Sequence, residues 1–161
     1  MKLKLVGFAA SAALMLILTS VVASAQWNEQ YWRRYNKKQV EQIIASVETS
    51  TDSFRKDFDE WLDHSRFDGR EKEDKFNSKV KGFEDATDKL RSEFDREDSW
   101  WETRSEVEKM LAEARTIAQM MRNRDFGRDV ENQWRKLRIN VNKLAGTYRL
   151  PLVGDRETVL R

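Results

Sequence analysis

Apolar residues recur along this chain in alternating steps of four and three, the spacing that lines one face of a long helix. The first run is Val40, Ile44, Val47, Thr51, Phe54, Phe58 and Trp61, with no proline or glycine before Gly69. A second run follows at Phe76, Val80, Phe83, Thr87, Leu90 and Phe94. Between them lies Asp68-Gly69, a pair that favours a tight turn because glycine tolerates positive φ. A third run, Val107, Met110, Leu111, Ala114, Ile117, Ala118 and Met121, is smaller and more flexible. The fourth is Val130, Trp134, Leu137, Val141, Leu144 and Tyr148. Helices are therefore expected at about 37–64, 71–97, 100–123 and 128–147. Short breaks between four long amphipathic helices predict an all-α fold, an antiparallel up-down-up-down four-helix bundle over 36–149.

Local signals place the helix ends. Asn36 with Gln39 reads as a capping box, and Tyr35 with Val40 as a hydrophobic staple; Ser99 with Glu102 reads as a second capping box. The second helix starts from either Asp68 or Arg70. Gly146 and Pro151 are stop signals for the fourth, leaving 150–161 as a loose tail with Leu150, Leu152 and Val153 as docking points.

The first two helices repeat each other. Residues 47–59, VETSTDSFRKDFD, return 36 positions later as FEDATDKLRSEFD, with identities at Glu48/Glu84, Thr51/Thr87, Asp52/Asp88, Arg55/Arg91, Phe58/Phe94 and Asp59/Asp95. Two copies are too few for a repeat array. They read as the arms of one hairpin, with the threonines in a shared mid-length layer and the repeated acids and arginines on its outer faces.

Ahead of the helices, Lys2 and Lys4, an apolar stretch from Leu5 to Leu18, and Ala23-Ser24-Ala25 have the make-up of a secretory signal peptide cleaved after Ala25. Retention as an N-terminal anchor is the other reading. Cleavage implies a periplasmic or secreted location. Removing the two leader lysines leaves 28 basic against 28 acidic residues, so the alkaline balance is no sign of nucleic-acid affinity. The neutrality is uneven: residues 41–99 carry 18 acids and 11 bases, residues 122–149 carry 3 acids and 8 bases. An acidic hairpin beside a basic helix accounts for this within one bundle; pairing of opposite faces between copies is the alternative. Without cysteine, stability rests on packing.

The run Ser65-Arg66-Phe67-Asp68-Gly69 with Glu73-Asp74, then Phe83-Glu84-Asp85-Ala86-Thr87-Asp88-Lys89-Leu90-Arg91, resembles a family of small secreted bacterial helical-bundle proteins with no known activity. Trp134, Leu137, Arg138, Val141, Leu144, Ala145 and Tyr148 fit its pattern as well. The resemblance covers roughly 36–150 and implies a fold and an exported location, with no activity, cofactor or partner attached. Arg70 departs from it, since members often carry Thr there.

Candidate chemistry is sparse. His64 is the single histidine, so a zinc site would need carboxylates almost alone, and an EF-hand aligned on Gly69 would put His64 and Arg66 where calcium needs oxygens. No G-x-S-x-G or glycine-rich phosphate loop occurs. Asp57/Asp59 or Asp95/Asp98 would suit a carboxylate-pair hydrolase, but such pairs arise by chance among so many acids. No catalytic, cofactor or metal residues are assigned, and no nucleic-acid partner is expected.

One end gathers rings and bases. The bundle would bring together Trp27, Tyr31, Trp32, Tyr35, Trp100, Trp101 and Tyr148, with Arg33, Arg34, Lys37, Lys38 and Arg149 around them. Trp27, Tyr31, Trp32, Arg33, Arg34, Trp100, Trp101 and Tyr148 form the candidate contact surface. Two readings stand: a plug closing the bundle end, or a face that binds a cell-wall polymer, an envelope protein or a membrane surface. The expected function is non-enzymatic binding in the cell envelope. A periplasmic stress chaperone is the second reading, without the Leu-Thr-x-x-Gln repeats such proteins resemble, and a hydrolase the third. Self-association of the hairpin is an open option.

Overall fold

A computed structural model describes residues 34–65 and 71–154. These residues are all-α: α1 (Lys37–Asp63), α2 (Glu71–Arg96), α3 (Arg104–Arg122) and α4 (Arg128–Thr147), with a 3-10 turn at Trp100–Thr103 ahead of α3. The compact unit they build begins at Asn36. Within it α1 packs on α2 and α4, and α3 on α2 and α4. The turn after Ser65, with both proposed caps of α2, lies outside the described residues.

The capping box at the head of α1 forms. Asn36 Oδ1 accepts the Gln39 N–H and Gln39 Oε1 accepts the Asn36 N–H, each at 2.9 Å, which satisfies two helix-end donors. The buried face of α1 is Val40, Ile43, Ile44, Val47, Thr51, Phe54, Phe58 and Leu62. Leu62 therefore takes the inner place expected of Trp61, which is only half-buried. A straight helix drifts about 20° per heptad, so three heptads after Val40 position 61 has turned about 60° from the seam and position 62 has replaced it. The face of α2 is Phe76, Val80, Phe83, Thr87, Leu90 and Phe94. On α3, Met120 is buried where Met121 was expected.

The repeated threonines are both buried. Thr51 Oγ1 donates to the Val47 carbonyl at 2.9 Å and Thr87 Oγ1 to the Phe83 carbonyl at 3.0 Å. Each hydroxyl is satisfied inside its own helix. The repeated arginines do not lie on outer faces. Arg55 binds Asp59 four residues on and Glu84 on α2, both at 2.8 Å; Arg91 binds Asp95 at 3.2 Å and Glu41 on α1 at 3.3 Å. The repeat thus writes the same i,i+4 pair into both helices, and each arginine also reaches across to the other helix, through Glu84 of the repeat and Glu41 ahead of it. At 28% and 29% side-chain exposure the two arginines are partly screened, so each pair contributes at most about 1 kcal/mol. On the other side of α1, Asn140 Nδ2 of α4 donates to Ser50 Oγ at 2.6 Å and to the Ser46 carbonyl at 3.2 Å.

Two segments read as loops carry structure. Phe126, in the break between α3 and α4, is fully buried, its ring centre 4.9 Å from Trp61 and 5.6 Å from both Phe58 and Phe76. Gly127 turns the chain into α4 at φ 80°, where a Cβ would be strained and would sit 3.4 Å from Trp61.

The tail is not loose as far as Gly154. α4 runs through Gly146 and ends on a left-handed Arg149 (φ 53°), with Leu150 N–H bonded to the Ala145 carbonyl at 2.9 Å and Arg149 N–H to that of Gly146 at 3.2 Å. This is the six-to-one, five-to-two closure normally given to glycine. Beyond it Val153 is buried, its N–H donating to Asn142 Oδ1 at 2.7 Å and its carbonyl accepting from Asn142 Nδ2 at 3.0 Å. Arg115 and Arg122 of α3 donate to the carbonyls of Pro151 and Gly154, at 3.0 and 3.2 Å. Leu152, by contrast, stays exposed.

Candidate contact surface at the aromatic pole

The head of α1, the 3-10 turn and the foot of α4 meet. Lys37 Nζ donates to the Glu97 carbonyl and lies 5.4 Å from the centre of the Phe94 ring. Arg104 Nη1 donates to the Tyr148 carbonyl. Of the expected basic groups Lys37 thus holds the backbone at this end, and Arg104, which was not among them, does the same. Trp27, Tyr31, Trp32 and Arg33 lie outside the described residues; Arg34 is exposed.

Trp100 and Tyr148 belong to the interior, which corrects their assignment to a contact surface. Trp100 is 2% exposed and Tyr148 0%, their rings edge to face with centres 5.0 Å apart and planes at 89°. Three oxygens close beside them. The Trp100 carbonyl lies 2.8 Å from Thr103 Oγ1 and 2.8 Å from the Tyr148 hydroxyl, and the two hydroxyls are 2.8 Å from each other. Two protons serve three contacts, so both buried hydroxyls are satisfied by protein groups. Burial, with Glu106 adding to it and the Thr103 hydrogen bond opposing, pushes the Tyr148 phenol up to about 12.

Trp101 faces the other way. It is 40% exposed, with its ring centre 5.9 Å from that of Trp100 and the planes at 75°. The expected Ser99 capping box does not form; Ser99 makes no side-chain cap bond and the chain enters a 3-10 turn. Neighbours in a 3-10 helix are about 120° apart, so one Trp turns inward and the other outward. The same turn carries exposed Glu102, and exposed Asp98 and half-buried Glu97 lie just ahead of it. A hydrogen bond to Glu102, reinforced by burial and by nearby acids, holds Glu97 above its usual carboxylate range. Asp98 and Glu102 thus place acidic groups next to Trp101 along the chain, at an end whose backbone Lys37 and Arg104 hold.

Other candidate groups are placed as follows. His64 is exposed at the foot of α1, with Nδ1 2.8 Å from the Glu60 carbonyl. Asp59 and Asp95, weighed as halves of hydrolytic pairs, are each held by an arginine, Arg55 and Arg91. Among the described residues no three His, Asp or Glu side chains are grouped to hold a metal ion, and no helix is long and apolar enough to cross a membrane. No family model, curated protein or solved structure matches the chain.

Proposed function

We propose that this is an exported, non-enzymatic protein of the cell envelope that acts by binding a cell-wall polymer through the pole bearing Trp101. The scaffold in this reading is an up-down-up-down four-helix bundle. Its support is the set of cross-helix bonds that join the head of α1 to the foot of α2 and the middle of α1 to the middle of α4. Export rests on the leader-like residues 1–25, and kinship with small secreted helical proteins on the motifs at 65–74 and 83–91.

The observation that carries the reading is the division of labour between adjacent tryptophans. Trp100 is consumed by the core, whereas Trp101 presents a large ring to solvent from a turn fixed by that core. An exposed indole on a rigid base suits stacking on the apolar face of a sugar ring. A single exposed ring, flanked in the chain by exposed Asp98 and Glu102 and not by a broad apolar face, favours a hydroxyl-rich polymer over insertion into a lipid surface.

Co-sedimentation of the purified protein with insoluble peptidoglycan tests this, with phosphatidylglycerol vesicles as the second arm. The wild type should pellet with peptidoglycan, and Trp101→Ala should weaken this about tenfold or more, the loss typical of a central aromatic anchor. A wild type that stays in the supernatant, that prefers vesicles, or that is unaffected by the change would refute the proposal.

A further inference from the structure

The repeat leaves the seam between α1 and α2 with more acids than its arginines can pair. Arg55 and Arg91 between them hold four carboxylates, those of Asp59, Glu84, Asp95 and Glu41. Among the described residues Glu48, Asp52 and Asp88 enter no ion pair. Burial pushes the Glu48 carboxyl up, with Arg91 opposing and Asp88, Asp95 and Asp52 adding, so these acids crowd one edge. Two guanidiniums thus face seven carboxylates. Lys89 is already bound to Glu93 at 2.7 Å, and exposed Lys56, one turn on from Asp52, offsets one charge at most.

The outward face of α4 is the complement. Exposed Arg135, Lys136 and Lys143 surround Ile139 at steps of three and four, which puts them on one stripe. Ile139 is 62% exposed, the most open of the large apolar side chains among the described residues. Among the same residues Lys136 and Lys143 enter no ion pair, and 132–154 contain no Asp or Glu to supply one. The stripe cannot reach the seam of its own chain. α4 packs on the other side of α1, where Asn140 bonds Ser46 and Ser50.

Each copy therefore carries an acidic seam and a basic stripe on different faces. Residues 26–161 hold 28 basic and 28 acidic side chains, so no net repulsion keeps two copies apart. Lys136 and Lys143 stand two helical turns apart, about 10 Å, which is also the spacing of Asp88 and Asp95. A helix laid along the seam can set each lysine beside an acid. We propose that the α4 stripe around Ile139 docks in the α1–α2 seam of a second copy of this chain. One apolar side chain and exposed charges make this a weak, salt-sensitive contact. It joins two unlike faces, so a copy with one face blocked still offers the other. The contact is independent of the Trp101 pole and stands or falls separately from it.

Sedimentation velocity of the purified protein at rising concentration tests this, at low ionic strength and again in about 1 M salt, where screening shortens to about 3 Å. Wild type should associate at low salt and be monomeric at high salt. Lys136→Gln with Lys143→Gln blocks the stripe, and Asp52→Asn with Asp88→Asn blocks the seam; each should weaken self-association about tenfold or more. Mixed in equal amounts, the two variants should pair one to one, because the seam of the first meets the stripe of the second. Lys72→Gln with Lys79→Gln, on exposed positions of α2, should leave association intact. The proposal is overturned if wild type stays monomeric at low salt, if association persists undiminished at high salt, or if either blocked variant associates like wild type. It is overturned equally if the mixture fails to pair or the α2 control loses as much. Monomers that float with phosphatidylglycerol vesicles through Lys136 and Lys143 would give the stripe to a membrane instead, and also overturn it.

Discussion

Replacing Tyr148 by phenylalanine removes one oxygen and one proton from the triangle at the pole and nothing else. The ring remains, so its edge-to-face contact with Trp100 at 5.0 Å remains too. Thr103 still donates to the Trp100 carbonyl, so no buried group is orphaned and the loss at neutral pH is the net value of one hydrogen bond, about 1 kcal/mol. Alkaline pH reverses the order. The phenol titrates near 10 in the unfolded chain and at about 12 in the fold, so its raised value gives stability that is whole below pH 10 and lost as pH rises through 12. Each unit of that gap is worth about 1.4 kcal/mol, so the wild type forfeits up to about 2.7 kcal/mol that the variant keeps. Urea unfolding of both proteins across pH 7 to 12 gives the difference free of every group they share. Wild type should lead by about 1 kcal/mol at neutral pH, meet Tyr148→Phe at about pH 10.7, and fall about 1.3 kcal/mol behind it by pH 12. A difference that stays constant across the range would refute the claim that this hydroxyl is buried and closed to water.

Other substitutions probe the remaining contacts. Phe126→Ala should cost about 3–5 kcal/mol, since the ring is fully buried among Phe58, Trp61 and Phe76; a loss under 1 kcal/mol by the same urea assay would show that the α3–α4 break does not pack there. Arg149→Gly should raise the melting temperature by relieving a left-handed backbone worth roughly 0.5–1 kcal/mol, and a fall would mean that the arginine's own interactions outweigh that strain. A double-mutant cycle on Arg55 and Glu84 should return a coupling of at most about 1 kcal/mol that shrinks with added salt; a salt-independent coupling would place the pair deeper than its exposure indicates.

What could be read from the sequence was whatever repeats along a helix. The inward face of α2 follows six regularly spaced residues because the run is short enough for a 3.5-residue spacing to track a 3.6-residue helix. The same rule overran on α1, where drift over three heptads exchanged Trp61 for Leu62. Phe126 carried no signal, since a single aromatic in a break has no period. The split between Trp100 and Trp101 was hidden by a capping-box pattern that the 3-10 turn overrides. The anchored tail escaped notice for another reason: its partners, Arg115, Arg122 and Asn142, sit on other elements and mark no local pattern.

The proposed function requires two adjacent tryptophans to differ, with Trp100 holding the fold and Trp101 dispensable to it. Unfolding free energies of Trp100→Ala and Trp101→Ala, measured side by side in urea, test this without knowledge of any ligand. Trp100→Ala should lose about 3–5 kcal/mol, the cost of emptying a buried indole site, while Trp101→Ala should lose less than about 1 kcal/mol. Equal losses, or the larger loss at Trp101, would contradict it.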